Sequence, residues 1–393
     1  MTTHERLTAH ATTDLDEHRG RHGPLPWRGR GGLIAVVADA GLTGRGGAGF
    51  PTWRKLAAVA AGSRPVVVAN GAEGEPASGK DRALLTNAPH LVLDGLQLAA
   101  EAVGSRRAYA YVSAQFAGAV DVALRRRQGA GWDRVEVSVV TAGAGFVAGE
   151  ESAVVARIEG HPPLPRDTPR RVVERGVGGA ATLVQNVETL AHLALLARRG
   201  AAWFRSAGTA SEPGTFLATV TGAVAMPGVY EAPYGVGLGE LLDRAGGATA
   251  PLQAVLVGGY HGAWVPPAAD LGVTRAELSR HGAAPGAGVV FALPATTCGV
   301  VESARIAGYL AGQSAKQCGP CRNGLPRLAD TLARIARRER HAGLPGEVER
   351  LTTLVAGRGA CHHPDGTARF IRSSLRMFAT EVGLHLAGTC SRA

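Results

Sequence analysis

The sequence is poor in lysine, in aromatic residues and in long apolar runs. Lysine supplies three of the 42 lysine and arginine residues, which leaves 39 arginines. Only 19 of the 393 residues are aromatic. Because the arginines are scattered and not gathered in a stripe with aromatics between them, the net charge of +10 does not indicate a nucleic-acid partner.

No apolar run approaches the roughly 20 residues that a membrane-spanning helix needs. The N-terminal segment is polar and does not have the form of a signal peptide. We therefore expect a soluble, cytoplasmic chain without a membrane span of its own. Five cysteines in such a chain argue against a disulfide framework, so metal or cluster ligation is the interpretation to test.

Short strand-forming runs alternate with helical stretches between about residues 32 and 203. The strand candidates are 65–69, 108–112 and 135–140, and the helical stretches include 89–103 and 115–127. Alternation at this spacing predicts an α/β layer with parallel strands.

The remaining patterns divide the chain into four segments. Residues 204–213 are typical of a linker, strands at 216–222 and 254–259 flank a helix at 238–244, and helical spacing continues from 303 to the end. The predicted segments are a loosely tied N-terminal arm over 1–31, an α/β domain over 32–211, a small β-grasp-sized module over 212–299 and a helical domain over 300–393.

The first motif is a glycine-rich segment, Gly44–Thr52, that fits the pattern Gly-x-Gly-x-x-Gly. Glycines let the backbone approach a phosphate or a flat ring, and Pro51 is well placed to open a helix whose N–H groups are free. A plain flexible loop is the alternative, because the preceding residues 34–40 could equally be a helix.

Two further motifs follow predicted strands, where α/β sheets bind ligands. Residues 70–76 run on to Lys80, and their amides and carboxylates could pair with a ring edge or ribose hydroxyls while Lys80 serves a phosphate. In residues 143–152, the adjacent Glu150 and Glu151 are costly unless partnered. The alternatives are a capped loop-to-helix junction and an ordinary acidic helix N-terminus.

A fourth segment, 182–190, places polar residues before a helix and is uninformative alone. The fifth motif is Cys318-Gly-Pro-Cys321, with Cys361 further along. This set suits soft-metal or cluster ligation, and with a histidine it would also satisfy tetrahedral zinc.

Taken in order, these motifs resemble the family of flavoprotein subunits of respiratory complex I, the NADH-binding 51-kDa-type subunits. The consecutive signatures of that family have counterparts at 44–52, 70–82, 143–152, 184–189 and 314–322, and a module of the SLBB type at 221–230 and 257–259. The resemblance covers about residues 32–390. It implies a Rossmann-like FMN-binding α/β domain, a β-grasp-like SLBB module and a C-terminal helical bundle that binds an iron–sulfur cluster.

The resemblance also implies a function: electrons pass from NADH to FMN, then to an iron–sulfur centre and a partner redox protein. The implied partner is a separate chain, a thioredoxin-like [2Fe–2S] protein or a ferredoxin, in an assembly attached to the cytoplasmic face of a membrane redox complex. Two alternatives stay open, namely a ferredoxin-linked FMN carrier that does not use NADH and a structural subunit that has lost its cofactors.

By motif position, Glu150 and Glu151 would shape the nicotinamide–flavin region and Cys318, Cys321 and Cys361 would ligate the cluster. The implied contacts of FMN and NADH are Gly44, Arg45, Gly46, Gly47, Ala48, Gly49, Phe50, Lys55, Asn70, Glu73, Glu75, Lys80, Phe146, Gly149, Glu150, Glu151, Gln185 and Asn186.

The chain departs from the family pattern at the NADH side of the site. The aspartate of the second signature is Ala72, and two of three family stacking aromatics are replaced by Ala58 and, within residues 169–172, Arg171. Phe50 is retained. At about 1 kcal/mol per lost stacking surface in addition to the lost burial of apolar area, we expect NADH binding to be weakened tenfold or more per position.

The cluster motif departs too, since Ala315 stands where the first ligand cysteine belongs. A [4Fe–4S] cluster normally uses four thiolates. The open options are a three-cysteine [4Fe–4S] cluster with an outside ligand, a [3Fe–4S] centre, zinc or no cluster. The outside ligands considered are Cys298, Cys390, His362 and water.

Overall fold

The structure, a computed structural model, describes residues 5–167 and 170–392 and forms two compact units. The first unit runs to Leu217 and includes Glu231–Gly235, and the second comprises Ala218–Tyr230 and the chain from Val236 onward. Position 169 and the first four residues of the predicted arm lie outside the described residues. The division at residues 31, 211 and 299 stays a prediction.

A parallel sheet of four strands forms the centre of the first unit. Its strands are β1 (Val66–Gly71), β2 (Arg107–Val112), β3 (Val137–Thr141) and β4 (Thr182–Asn186), in the order β3-β2-β1-β4. β1 pairs in parallel with β2 and β4, and β2 with β3. Because β1 lies in the interior of a parallel sheet, its valine-rich sequence is buried almost throughout. The predicted parallel α/β layer is confirmed.

The helices of the first unit precede, connect or follow these strands. They are α1 (Leu15–His22), α2 (Gly32–Ala40), α3 (Thr52–Ala60), α4 (Lys80–Asn87), α5 (Pro89–Val103), α6 (Ala114–Gly129), α7 (Glu151–Ile158) and α8 (Val187–Arg205). α5 and α8 approach closely because α5 carries a glycine at the contact. A Cβ on Gly95 would stand 1.9 Å from the carbonyl oxygen of Leu190.

The structure defines two segments that the sequence left open and corrects a third. Residues 34–40 belong to helix α2, so the glycine-rich segment follows a helix and not a strand. The uninformative residues 182–186 form the buried strand β4. Phe204, assigned to a linker, is fully buried at the end of α8, where a Cβ on Gly214 would meet its ring at 2.3 Å.

The N-terminal segment is tied down by buried polar groups, which corrects the expectation of a loose arm. The backbone N–H groups of Arg6 and Leu7 each donate to the carboxylate of Glu231 at 2.7 Å. In α1, His18 is buried and its Nε2 lies 2.8 Å from Asp94 Oδ2.

Asp94 of α5 is the centre of a fully buried charged cluster. Arg127 donates to Asp94 Oδ1 at 2.8 Å, and Arg198 donates to Oδ2 at 2.6 Å. Trp132 also donates to Oδ1, at 3.1 Å. Burial disfavours the charge of Asp94, but His18 and the two guanidinium groups outweigh it and hold the pKa of Asp94 well below its usual range.

The second sheet has the order β6-β5-β9-β7-β8. Its strands are β5 (Thr215–Gly222), β6 (Gly228–Pro233), β7 (Leu252–Val257), β8 (Ala263–Val265) and β9 (Val289–Pro294), with the helices α9 (Leu238–Arg244) and α10 (Arg275–Ser279). β5 and β9 pair in parallel, whereas β7 pairs antiparallel with β8 and β9. The predicted strands and helix of this region are therefore confirmed.

The C-terminal part of the second unit is helical, as predicted. Its helices are α11 (Gly299–Gly312), α12 (Leu325–Ala336), α13 (Leu344–Val355), α14 (His363–Met377) and α15 (Ala379–Leu386), with a π-helical turn at Pro320–Gly324 before α12. On α12, Leu325, Leu328 and Leu332 are buried, as their helical spacing indicates. Within the part of the chain described, no helix is both long and apolar enough to cross a bilayer.

Replacing Asp94 by asparagine should strongly destabilise the first unit. The change leaves Arg198 without its counter-charge and Arg127 with Asp133 alone, and breaking a buried ion pair in this way costs about 3–5 kcal/mol. Chemical denaturation followed by fluorescence measures the loss. Asp121→Asn is the matched control, because its pair with Arg125 is exposed and worth less than about 1 kcal/mol. Equal losses of unfolding free energy in both variants would contradict the placement of Asp94 in a buried charged cluster.

Candidate functional site

The candidate site lies where the parallel strands of the first sheet end. Asn70 of β1 lies opposite Asn186 of β4 at this edge. The glycine-rich loop between α2 and α3 reaches the same place, because a Cβ on Gly46 would lie 3.4 Å from the Cβ of Asn186. The structure thus brings the first, second and fourth motifs together at the edge where open α/β sheets bind ligands.

The glycine-rich loop folds as a narrow turn. The N–H of Gly44 donates to the carbonyl of Phe50 at 2.9 Å, which closes the turn. Gly47 and Gly49 have φ values of 112° and 62°, a conformation that favours glycine. The side chain of Phe50 is 45% exposed beside the turn. The loop therefore offers a backbone that a ligand can approach closely and an exposed aromatic face.

Arg45 anchors this loop with a buried side chain. Its guanidinium donates to the carbonyl of Thr215 at 3.1 Å and lies 4.6 Å from the ring centroid of Tyr234. The neighbouring Gly46 and Ala48 are exposed. The interactions of Arg45 are thus with the protein, a role that its prediction as a cofactor contact did not include.

Lys80 is buried at the start of α4 with acceptors around its ammonium group. Nζ donates to Asp81 Oδ1 at 2.7 Å and to Asn186 Oδ1 at 2.8 Å, and it lies 3.0 Å from Glu188 Oε2. Burial opposes the charge, but Asp81 and Glu188 outweigh it and raise the pKa of Lys80 above its usual range. Lys80 therefore neutralises two buried carboxylates, whereas the sequence pointed to a phosphate contact.

Two asparagines orient the backbone at the sheet edge. Asn186 caps α8 by accepting the N–H of Glu188 at 3.1 Å, and its amide donates to Asp81 Oδ2 at 2.9 Å. Asn70 donates from Nδ2 to the carbonyl of Gly149 at 2.8 Å. Both side chains thereby hold the second, third and fourth motifs in fixed positions.

Lys55 and the two adjacent glutamates occupy different environments. Lys55 forms an ion pair with Glu151, and its Nζ donates to the carbonyl of Val184 at 2.8 Å. Glu150 caps α7 by accepting the N–H of Ser152 at 2.9 Å, and burial raises its pKa. Of the two predicted catalytic acids, Glu150 is therefore a helix cap, while the Glu151 side chain is 42% exposed.

The glutamates of the second motif also act as caps. Glu73, with φ 42°, accepts the N–H groups of Asp81 at 2.9 Å and Arg82 at 3.0 Å, where α4 begins. Burial and the nearby Asp81 raise the pKa of Glu73. Glu75 accepts the N–H of Ala77 at 3.2 Å. The alternative of a capped loop-to-helix junction thus describes this segment.

The third motif packs on the turn of the second. A Cβ on Gly74 would stand 2.6 Å from the carbonyl oxygen of Phe146, and one on Gly149 would stand 3.5 Å from the Cβ of Ala72. Phe146 and Gly149 are the ends of a short 3₁₀ helix. The approach at Gly74 leaves no room for a Cβ, whereas Gly149 lies at ordinary contact distance.

Gln185 supplies a buried donor without an acceptor. Its Nε2 makes no hydrogen bond within the described residues, although the side chain is buried beside Asn186. An unpaired buried donor costs about 1–3 kcal/mol, so a bound polar group that accepts from it is favoured. With the Cβ-free approach at Gly46 and the ammonium group of Lys55, this donor fits a flat, acceptor-rich and anionic group such as FMN.

The three predicted cluster ligands come together in the second unit. The thiols of Cys318 and Cys321 are within hydrogen-bonding reach, and Cys361 is near enough to act on Cys321. Burial, followed by the contact with Cys318, raises the pKa of Cys321 to about 12. Ala315 adds no thiol, so the residues present fit a cluster held by three protein thiolates.

Cys298 and Cys390, two of the suggested outside ligands, lie away from the three predicted cluster cysteines. The option that either one completes the cluster is therefore wrong. Cys298 precedes α11, a helix of 14 residues that is about 21 Å long, and Cys321 lies at its other end, where Ser314 donates to the carbonyl of Cys321. Cys390 lies with Cys298. His362, beside Cys361, is fully exposed.

Sequence analysis missed the importance of Glu188. Its carboxylate reaches Lys80 and accepts the N–H of Leu217 at 2.9 Å. A usable signal was present, because Lys80 is one of only three lysines and lies within the second motif, and Glu188 is an acid within the fourth motif that could pair with it.

Models of three protein families match the chain. The Nuo51 FMN-binding domain matches residues 37–195, the SLBB domain matches 217–259, and the NADH-ubiquinone oxidoreductase-F iron-sulfur binding region matches 302–385. These matches define an FMN- and iron–sulfur-type oxidoreductase subunit, and they confirm the fold class.

Relatives are similar along nearly the whole chain. An NADH-quinone oxidoreductase F subunit of Rhizobium meliloti is 32% identical, over 90% of this chain and 88% of the relative. The corresponding F subunit of Mycobacterium tuberculosis H37Rv is also 32% identical, over 91% of this chain and 85% of the relative. The chain belongs to the family of the F subunits of NADH-quinone oxidoreductase.

A solved structure shows the same fold. It is a crystal structure of an NAD⁺-reducing [NiFe]-hydrogenase in the air-oxidized state, with a TM-score of 0.86 and 31% sequence identity. The match covers 93% of this chain and 64% of the hydrogenase chain, so this chain spans slightly less than two thirds of the length of that protein.

Lys80→Met should destabilise the first unit by about 3–5 kcal/mol near neutral pH, because Asp81 and Glu188 lose their counter-charge. Since the folded pKa of Lys80 lies above 10.5, its contribution is complete below pH 10.5 and is lost as pH rises through the folded value. The difference between the free energies of unfolding of wild type and variant should therefore narrow at alkaline pH.

The control is Lys316→Met, which removes an exposed ammonium group and should change the free energy of unfolding by about 0.5 kcal/mol or less. Denaturant titrations from pH 7 to pH 11 measure both variants. A difference between wild type and Lys80→Met that stays constant over this range would contradict the buried pairing.

Proposed function

We propose that this chain is the electron-entry subunit of a larger redox assembly, in which NADH is oxidised beside FMN and electrons leave through an iron–sulfur cluster. The observation that carries the proposal is the meeting of the glycine turn, Asn186 and the unpartnered amide of Gln185 at one sheet edge. When bound, FMN and the cluster supply hydride acceptance and single-electron transfer.

The residues of the first unit bind and orient these reactants. The glycines of the turn from Gly44 to Phe50 would let a flavin approach the backbone closely, and Gln185 would donate a hydrogen bond to it. Glu151 fixes the ammonium group of Lys55 beside β4. Phe50 supplies the exposed aromatic face on which NADH stacks.

Three cysteines of the second unit would hold the cluster. Cys318, Cys321 and Cys361 would supply three thiolates, and Ala315 would supply none. This set supports a [3Fe–4S] centre or a [4Fe–4S] cluster with a non-protein ligand. Beside it lies a cavity of about 410 Å³ lined by Lys316, Arg322 and Pro326 together with Cys321.

The relatives are named as subunits, so members of this family work with other chains. The proposed partner of this chain is a separate thioredoxin-like [2Fe–2S] protein or a ferredoxin. Attachment to the cytoplasmic face of a membrane redox complex belongs to the same proposal.

Gln185→Leu should weaken FMN binding about two- to tenfold, because one hydrogen bond is worth about 0.5–1.5 kcal/mol. Fluorescence titration of the flavin-stripped protein with FMN measures the Kd. The matched control is Gln253→Leu, since Gln253 also has a buried amide atom without a partner but lies on β7 of the second unit. Equal weakening in both variants would count against the placement of the flavin.

NADH should bleach the flavin absorbance of the anaerobic holoprotein. Phe50→Ala should raise the NADH concentration for half-bleaching about two- to tenfold, because one stacking face is worth about 0.5–1.5 kcal/mol. Val122→Ala removes another exposed apolar side chain and should leave this concentration unchanged. Bleaching by reduced ferredoxin but not by NADH would replace the proposal with the ferredoxin-linked carrier. A chain that binds no flavin would be a structural subunit.

A further inference from the structure

A second group of metal-ligating side chains lies in the second unit. It consists of Cys298, Glu381, His385 and Cys390, whose ligand atoms all lie within 4.8 Å of one another. The first three side chains are buried and Cys390 is half-buried. The family signatures do not include these residues.

Local structure explains how the group assembles. Cys298 is the residue that precedes α11, while Glu381 and His385 are four residues apart on α15 and therefore share one face of that helix. Gly388, with φ 86°, turns the chain after α15 so that Cys390 returns to the same place.

The hydrogen bonding of His385 leaves Nε2, the ring nitrogen that faces the other three side chains, as an acceptor. Nδ1 lies 3.0 Å from the carbonyl oxygen of Ile335, and since a carbonyl cannot donate, Nδ1 carries the proton. In the neutral ring Nε2 then has a free lone pair. Nε2 faces Glu381 Oε1 at 3.3 Å and Cys298 Sγ at 3.4 Å.

Hydrogen bonds from Ser391, which is not one of the four residues, fix the carboxylate of Glu381. The N–H of Ser391 donates to Oε1 at 2.9 Å, and the hydroxyl of Ser391 donates to Oε2. An imidazole lone pair and a carboxylate that face each other repel unless a proton or a metal cation lies between them. Outer hydrogen bonds that orient the ligands in this manner are the usual support of a metal site.

We propose that these four side chains bind one structural Zn²⁺ ion. Zinc takes thiolate at about 2.3 Å and imidazole or carboxylate at about 2.0–2.2 Å, which in a tetrahedron separates nitrogen from sulfur by about 3.6 Å and nitrogen from oxygen by about 3.4 Å. The distances of 3.4 Å and 3.3 Å between these atoms match. Binding converts both thiols to thiolates and releases two protons to solvent.

Four protein ligands leave no open position, so the site is structural and not catalytic. It joins the turn after α15 to the start of α11. The same turn is already fixed nearby, because Arg392 donates to the carbonyl of Ala295 at 2.6 Å. Zinc would thus fasten the end of the helical region.

The test is to measure zinc and iron by mass spectrometry in the full chain purified without chelators. Wild type should retain about one zinc per chain. Cys298→Ser and Cys390→Ser should each lower the zinc content at least about fivefold without changing the iron content, because each removes one of four ligands. The control, Cys361→Ser, should lower iron and leave zinc unchanged.

A second measurement uses wild type alone, so that poor folding of a variant does not decide the result. Chelator-treated protein should take up Co²⁺ with the intense visible bands of tetrahedral thiolate coordination, and Zn²⁺ should displace it. Absence of zinc together with failure to bind Co²⁺ would overturn the proposal. Isolation with a disulfide between Cys298 and Cys390 and no zinc would overturn it too.

Discussion

The carboxyl edge of the first sheet depends on one buried positive charge. Lys80 compensates the carboxylates of Asp81 and Glu188 and donates to Asn186, so a single ammonium group joins the start of α4 to the junction of β4 and α8. Glu188 extends the connection to the N–H of Leu217. In a low-dielectric interior such charges stay together or unfold together, so the edge that presents Gln185 is rigid for electrostatic reasons.

Sequence periodicity predicted the long helices and strands of the first unit but missed the short polar strand β4. Helix α5 could be predicted with its ends because Pro89 opens it and Gly104 closes it. Strand β4 could not, since its five residues include Thr182, Gln185 and Asn186, and its strand conformation depends on pairing with β1. The grouping of the motifs followed from strand ends, but the capping roles of the glutamates depend on tertiary partners that spacing does not reveal.

The cysteines illustrate the same limit. Cys318 and Cys321 are close in sequence, so their pairing could be predicted, and Cys361 followed from family resemblance. Cys298 and His385 are 87 residues apart, and their meeting depends on how the start of α11 packs against the end of α15. Five cysteines that looked like one incomplete set form two separate groups, one of the three cysteines that the family resemblance assigns to the cluster and one of Cys298 and Cys390.

The buried cluster around Asp94 determines when the beginning of the chain can fold. His18 docks on Asp94, which also needs Arg198, and the backbone of Arg6 docks on Glu231, 225 residues later in sequence. Because domains assemble as the chain leaves the ribosome, helix α1 has no complete docking surface until more than half of the chain has been synthesised. The residues made first are therefore the last of their unit to be secured, and they remain exposed to proteases and chaperones throughout that interval.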